Sequence, residues 1–355
     1  MDTNERNEII DIMKGVGIFL MVWGHVDGPL KTPYVYLFHM ALFFIVSGYV
    51  YKYKANESLI VFAKKKALRL YVPHLVSGMI LVTLTNVFVR IHLLDVSFEL
   101  VGWNSYLKKY LSVILFGGGD SLLGANWFLR SMFFGYLLYN IENRIIRSNK
   151  KKVIMIIINL VLLCIGWLLT LKIGQGKLLN ILSVPALFSI GAFLNEMGII
   201  KRISKLLYLL LPASILALFL LGFCGEISLN NNRIVNPVFF LTCALVGFIF
   251  AGSLAVLINK ILFLKKVFLY LGKNTMCIVL LHFISLKIIT LLQIVFYGAS
   301  IENLECYPTY ITNGAWWIAY LLVGIAVPLV LCEMYKMIIR KIRNRNKKIQ
   351  VKSRS

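Results

Sequence analysis

Long apolar segments recur along the whole chain, and lysine and arginine collect in the short loops between alternate segments. A bilayer offers the backbone no hydrogen-bond partners, so apolar segments of about 20 residues cross it as helices. Of the 355 residues, 59% are hydrophobic and only 15% are charged, which excludes an ordinary soluble domain. We predict an all-α integral membrane protein with about ten transmembrane helices.

The basic residues predict how this bundle is oriented. With the N-terminus inside, most of the 38 lysines and arginines fall in cytoplasmic segments, as the positive-inside rule requires. We therefore expect cytoplasmic N- and C-termini, one membrane domain at residues 1–339, and a basic tail at 340–355 that attaches to anionic lipid. This distribution also argues against nucleic acid as a partner, despite a net charge of +23. The predicted spans cover about residues 9–26, 34–51, 70–92, 106–118 (short or re-entrant) joined to 124–142, 153–172, 178–197, 206–224, 237–258, 267–296 and 316–339.

The first span contains three ionisable residues: Asp11, Lys14 and His25. A charged Asp or Lys at the bilayer centre costs roughly 2.5–3.5 kcal/mol, so such residues are expected to face a polar interior. The eleven residues from Lys14 to His25 turn a helix by about 1100°, close to three full turns, and Asp11 lies within about 40° of the same direction. All three residues therefore share one face. The alternative is a self-neutralising Asp–Lys pair at the helix start and an interfacial histidine.

Two further groups extend this pattern. His39, in the second span, lies at a depth similar to that of His25, and two imidazoles at one depth suit proton transfer near neutral pH. Lys66 and Arg69 are three residues apart and project to one side of a helix, where they suit a phosphate-bearing ligand from the cytoplasm. The alternative for His39 is an interfacial histidine bonded to a backbone carbonyl. The alternative for Lys66 and Arg69 is positive charge that serves only to orient the protein in the membrane.

The later spans add four polar residues. Trp127 and Arg130 open the fourth span, where we expect them to contact substrate, and His282 lies deep in the ninth span. Lys287 is expected to snorkel toward the outer surface.

The cysteines do not suggest a metal site. No Cys/His spacing is typical of zinc or haem, and we predict no metal. Cys164, Cys243, Cys277 and Cys332 fall in apolar segments, which favours buried thiols, whereas Cys224 and Cys306 both lie toward the outer side and could pair.

Several of these segments together resemble the acyltransferase-3 family, and most closely its fucose-acetylase-like branch. These are membrane enzymes, mostly bacterial, that acylate sugars. The resemblance runs from residue 11 to about 332 and rests on Lys14 with His25, Phe38-His39-Met40 with Phe43-Phe44 and Ser47-Gly48-Tyr49, Lys66-x-x-Arg69 with Pro73, Trp127-Phe128-Leu129, and Leu271-Gly272 with Leu281-His282.

The resemblance implies an acyl-CoA donor, usually acetyl-CoA, and a hydroxyl acceptor on a saccharide or a lipid-linked saccharide. It implies that Lys14, Lys66 and Arg69 bind the donor. It also implies that His25 takes part in acyl transfer, as general base or as transient acetyl carrier. We add His39 and Asp11 as catalytic candidates, and Trp127, Arg130 and His282 as acceptor-binding candidates. The family often has arginine at the position of Lys14 and proline near Met40, so the chain departs from its pattern at both places.

We therefore expect a multi-pass O-acetyltransferase of a bacterial plasma membrane that modifies a capsule or exopolysaccharide. A transporter or flippase of lipid-linked saccharides is the alternative, since intramembrane charges suit transport, although no inverted repeat is visible. A third hypothesis is an accessory protein with an inactive site. The sequence does not indicate an oligomeric state.

Overall fold

The computed structural model describes residues 3–26, 28, 34–94, 100–117, 121–148, 150–174, 176 and 178–352. Within these ranges the fold is all-helical and contains no β-strand. Its helices are α1 (Thr3–His25), α2 (His39–Tyr49), α3 (Leu59–Lys66), α4 (Val72–Thr83), α5 (Thr85–Arg90), α6 (Trp103–Ile114), α7 (Trp127–Ile145), α8 (Lys151–Ile173), α9 (Val184–Glu196), α10 (Ile199–Lys205), α11 (Leu207–Cys224), α12 (Pro237–Asn259), α13 (Leu262–Lys273), α14 (Thr275–Tyr297) and α15 (Trp316–Lys352).

In the described part of the chain, six helices are long and apolar enough to cross a membrane: α8, α9 with the turn before it, α11, α12, α14 and α15. The first helix does not meet this standard, because every 18-residue stretch of α1 contains Glu8, Asp11 and Lys14. The second, α2, has only 11 residues. The count of ten spans and the cytoplasmic position of the termini stay predictions. The last helix continues past residue 339 to Lys352, and residues 353–355 of the predicted tail lie outside the described residues.

Two predicted spans are interrupted in the structure. The segment 70–92 begins within a π-helical turn (Ala67–Tyr71), which α4 and α5 follow. The segment 267–296 is divided at Asn274 into α13 and α14. The Asn274 side chain donates to the carbonyl of Tyr270 (2.9 Å) and accepts from the ammonium of Lys336 (2.6 Å). An asparagine that bonds to the preceding backbone in this way competes with helix continuation.

The segment predicted as short or re-entrant forms α6, which packs antiparallel to α4. At one end the Tyr71 hydroxyl donates to the carbonyl of Ile114 (2.7 Å), and at the other the hydroxyls of Thr83 and Tyr110 are 2.9 Å apart. The opposite face of α6, which carries Trp103, Leu107 and Leu111, is exposed.

Glycines bring α1 and α2 into close contact with their neighbours. A Cβ added at Gly15 would lie 2.2 Å from a backbone oxygen of α13, and one at Gly272 would lie 1.8 Å from a backbone oxygen of α1. Gly48 and Gly191 produce a similar approach between α2 and α9. Small residues at such crossings are typical of membrane helices, and here they fix α1 against the helix that carries Lys273.

The prediction of thiols was wrong for two of the apolar cysteines. Cys277 on α14 and Cys332 on α15 form a disulfide, because these two packed helices bring their Cα atoms to 6.2 Å. Cys164, Cys224, Cys243 and Cys306 are free, and Cys224 and Cys306 therefore do not pair.

Candidate active site

Two cavities lie along the same four helices. The first, which we call the cationic cavity, has a volume of about 680 Å³, and the second, the histidine cavity, has about 250 Å³. On α1 and α14 the residues of the cationic cavity come first in the chain, and on α2 and α7 they come last. The two cavities therefore occupy opposite ends of a common bundle of α1, α2, α7 and α14.

The cationic cavity collects four basic side chains from three parts of the chain. Lys14 comes from α1, Lys66 and Arg69 come from α3 and the π-helical turn, and Lys273 is the last residue of α13. The carboxylate of Asp11 is the acidic group in this lining, and it lies 2.9 Å from the ammonium of Lys14. The cavity keeps an excess of positive charge, which favours an anionic ligand.

Lys66 is held by aromatic rings. Its ammonium lies 3.2 Å from the ring centroid of Tyr136 and 5.4 Å from that of Phe62. Burial lowers the pKa of this ammonium to about 8, and the charge of the nearby Arg69 adds to the lowering. Lys66 is therefore a partly desolvated cation in the wall of the cavity, a state that a bound phosphate would stabilise.

The far wall of the cationic cavity is apolar. Phe43, Phe128, Met132 and Val279 line it, and the rings of Phe43 and Phe128 meet edge to face at 5.5 Å between centroids. The cavity thus combines a charged half with an apolar half that points toward the histidine cavity.

The histidine cavity contains both imidazoles predicted at one depth. His25, at the end of α1, and His39, at the start of α2, line it together with Tyr36, Trp127 and Tyr307. The ring of Tyr36 packs against both imidazoles, at 6.2 Å from His25 and 5.1 Å from His39 between centroids.

Hydrogen bonds assign the same tautomer to the imidazoles. Nδ1 of His39 lies 2.8 Å from the carbonyl oxygen of Val35, so it carries the proton. The Tyr36 hydroxyl donates to the carbonyl of Gly24 (3.0 Å), so its oxygen accepts from Nδ1 of His25 across a long contact of 3.4 Å. Each arrangement leaves the Nε2 lone pair as the proton acceptor, which is what a general base requires.

His282 lies behind His25 rather than on the cavity surface. Its ring stacks on that of His25 at 5.4 Å, and its Nδ1 lies 2.8 Å from the carbonyl oxygen of Ile278. The residue is fully buried, and its Nε2 has no hydrogen-bond partner within the described protein atoms. His282 therefore supports the ring of His25 and presents a third unprotonated nitrogen near it.

Two loops complete the histidine cavity. Residues 227–230 form one wall, and buried asparagines hold this loop: Asn180 donates to the carbonyl of Leu229 (3.2 Å), and Asn232 donates to the hydroxyl oxygen of Thr170 (2.9 Å). Both asparagines are fully buried, so the wall has a fixed shape.

The second loop carries Tyr307, whose ring packs on Phe283 at 4.9 Å between centroids. Lys287 anchors this loop by donating to the carbonyls of Leu304 and Cys306, each at 2.7 Å. The expectation that Lys287 snorkels to the surface was wrong: it is 4% exposed, because two backbone oxygens satisfy its ammonium inside the protein.

Comparison with known proteins identifies the family of this chain. A protein-family model described as an acyltransferase domain matches residues 7–333. The chain belongs to the acyltransferase-3 family. Since this match covers nearly the whole chain, and six helices are suited to a membrane, the protein is a multi-pass membrane acyltransferase. No curated protein and no solved structure matches it.

The fold of the acyltransferase brings most of the predicted site residues to the two cavities. Lys14, Lys66 and Arg69 meet in the cationic cavity, and His25, His39 and Trp127 meet in the histidine cavity. Asp11 lies with the cations, fourteen residues from His25, which is about 21 Å along an ideal helix. Arg130 is buried and is not among the described residues that line either cavity.

Sequence reasoning missed several lining residues of the acyltransferase. Tyr36 lies in the turn before α2, only three positions before a candidate histidine, and this short separation was a usable signal. Tyr307 and residues 227–230 reach the cavity only through long-range packing, and nothing in their local sequence indicates it.

Proposed function

We propose that this protein is an O-acetyltransferase that moves an acetyl group from acetyl-CoA to a hydroxyl of a cell-envelope or exported polysaccharide. The observation that carries the proposal is the position of the two cavities: cations line one end of the four-helix bundle and imidazoles line the other. Lys14 and His25 are eleven residues apart on α1, or about 16 Å along the axis. An acyl donor with a phosphate head and a long flexible arm suits this arrangement.

The donor in this proposal enters the cationic cavity from the cytoplasm. Lys66 and Arg69 bind its phosphates, because a lysine ammonium and an arginine guanidinium are the common partners of phosphate oxygens. Lys14, oriented by Asp11 at 2.9 Å, holds the donor further along α1. The apolar half of the cavity, with Phe43 and Phe128, accommodates the uncharged arm that carries the thioester.

The acceptor hydroxyl binds in the histidine cavity from the outer side. In one route Nε2 of His25 removes the hydroxyl proton, the oxygen attacks the thioester carbon, the carbon–sulfur bond breaks, and the leaving sulfur takes the proton from the imidazolium. In the second route Nε2 of His25 attacks the thioester carbon, and the carbon–sulfur bond breaks to release CoA as the thiolate. The acceptor oxygen then attacks the acetyl carbon, the carbon–nitrogen bond to His25 breaks, and the hydroxyl proton neutralises the thiolate. His39 assists proton removal in either route, and Trp127 contacts the sugar.

The test is release of free CoA by the purified protein with acetyl-CoA and a hydroxylated sugar acceptor. The proposal predicts acceptor-dependent CoA release that falls at least 10²-fold, the low end of about 10²–10⁴ for a general base, in His25→Ala. His92→Gln is the matched control: His92 lies outside the lining of both cavities and contacts Glu305 at 2.9 Å, and glutamine keeps a hydrogen-bond donor there.

The outcomes separate the competing hypotheses. A transporter of lipid-linked saccharide or an inactive accessory protein would release no CoA, and full activity in His25→Ala would refute the mechanism. Acetylated His25, detected by mass analysis of a reaction quenched without acceptor, would select the second route. The polymer is tested separately: polysaccharide from cells that lack the protein should lose the mass of its acetyl groups, and identical polymers would refute this substrate class.

A further inference from the structure

A third cavity, which we call the interfacial cavity, lies beside the cationic cavity at the same end of the bundle. It has a volume of about 270 Å³. Its walls are residues just beyond the end of α2, the last turns of α7 and α9, and the first two turns of α8. The predicted acyl-transfer path does not use this cavity, and its volume suits a small headgroup better than a molecule the size of CoA.

Two lysines from the start of α8 line the interfacial cavity. The ammonium of Lys151 donates to the carbonyl of Asn143 and lies 4.9 Å from the ring centroid of Tyr53. Lys152 lies 2.6 Å from the carboxylate of Glu196, and both of these side chains are exposed. The cavity thus offers one cation without a carboxylate partner in the described contacts and a second whose carboxylate partner can be exchanged for another anion.

Hydroxyl groups and apolar side chains line the rest of the cavity. Tyr51 accepts a hydrogen bond from Asn140 at 2.7 Å, which leaves its own hydroxyl hydrogen to be donated. At its rim the cavity is lined by Ile156 and Phe193, and Phe193 is 50% exposed on the surface of the bundle. A polar, basic interior that opens onto an exposed apolar surface is amphipathic.

We infer that the interfacial cavity binds the phosphate headgroup of an anionic membrane lipid. The phosphate lies against Lys151 and Lys152, and the acyl chains pack along Ile156 and Phe193. Basic pockets between transmembrane helices at the cytoplasmic surface bind anionic headgroups in this way. The rings of Tyr51 and Tyr136 are 6.3 Å apart, so the lipid site shares a wall with the cationic cavity that Lys66 occupies.

The experiment measures lipid binding to the full-length protein by native mass spectrometry, with phosphatidylglycerol and phosphatidylcholine as probes. Wild-type protein is expected to retain phosphatidylglycerol in preference to phosphatidylcholine. Lys151→Gln should weaken that binding about fivefold, which corresponds to about one charge near the surface. Glu196→Gln should strengthen it by a similar factor, because it removes a competing carboxylate from Lys152.

Lys150→Gln is the matched control, since Lys150 is exposed, precedes Lys151, and is not among the described residues that line the cavity. Equal retention of both lipids by the wild type, or equal loss in Lys150→Gln and Lys151→Gln, would overturn the inference. A third arm adds inorganic phosphate: displacement of phosphatidylglycerol only at large excess supports a lipid site, and equal affinity for free phosphate contradicts it. Because Glu196→Gln is expected to bind phosphatidylglycerol more tightly, a general loss of folding cannot produce both this gain and the loss in Lys151→Gln.

Discussion

Substitution of Lys66 tests the donor end of the proposed site through its charge. The pKa of this ammonium is lowered to about 8, so it is about 90% protonated at pH 7 and about 10% protonated at pH 9. A hydrogen bond to a charged group contributes about 1.5–3 kcal/mol, and because Lys66 is partly exposed we take the lower value. Lys66→Gln should therefore raise the KM for acetyl-CoA roughly tenfold at pH 7.

The sign of the pH dependence follows from the direction of the shift. Protonated Lys66 attracts the phosphate below pH 8, and this attraction is lost as the pH rises through about 8. The kcat/KM for the donor reports the free enzyme, so it should fall above pH 8 in the wild type. The kcat at saturating donor should change little, since the phosphate contact is the same in the ground state and the transition state. Lys66→Arg keeps its charge and should remove the fall.

Steady-state CoA release from pH 6 to 10, with saturating acceptor, measures these effects. Lys65→Gln is the matched control, because Lys65 is 65% exposed, pairs with Glu57, and is not among the described residues that line the cationic cavity. Coincident pH profiles for the wild type and Lys66→Arg would refute the assignment. An equal rise in KM in Lys65→Gln and Lys66→Gln would show that the effect is general surface charge.

Three further substitutions test the rest of the account. Tyr307→Ala should raise the KM for the acceptor roughly two- to tenfold, because an aromatic contact is lost. Initial-rate measurements should show an unchanged KM for the donor. An effect on the donor KM alone would contradict the position of Tyr307 at the acceptor. Lys287→Met should also raise the acceptor KM selectively, because the carbonyls of Leu304 and Cys306 lose their donor and the loop over the histidine cavity is released. Unchanged kinetics would show that the loop has no role in binding. Gly272→Ala should lower the thermal unfolding temperature in detergent, since the added Cβ would lie 1.8 Å from a backbone oxygen of α1. Gly102→Ala is the control and should leave that temperature unchanged, because no atom lies within 4 Å of the new Cβ. Equal unfolding temperatures for the two variants would contradict the close crossing of α1 and α13.

The part of the site that follows helical periodicity could be predicted from the sequence. Lys14 and His25 are separated by close to three helical turns, and each lines a cavity on the same bundle. Lys66 and Arg69 could be paired by their spacing, and both line the cationic cavity. Local spacing fixes direction within one helix or one turn of the chain, so it indicates which side chains lie together, whereas their roles in binding and catalysis stay predictions.

Contacts between distant segments could not be predicted in the same way. From its local sequence Lys287 is interpreted as a snorkelling lysine, because that sequence does not show its hydrogen bonds to the loop at 304–306. The disulfide between Cys277 and Cys332 depends on the packing of α14 against α15, which no local pattern specifies. Arg130 looks like a ligand contact because it is a charge in an apolar segment, but it is not among the described residues that line either cavity.

The measurement that tests the central claim most directly is the sidedness of acetyl transfer in sealed proteoliposomes. Labelled acetyl-CoA is supplied outside, and a membrane-impermeant sugar acceptor is placed either inside or outside. If the cationic and histidine cavities are the two ends of one transfer path, label appears on the enclosed acceptor in the wild type and is absent in His25→Ala. Label on the acceptor only when it shares the donor's side of the membrane would contradict the account.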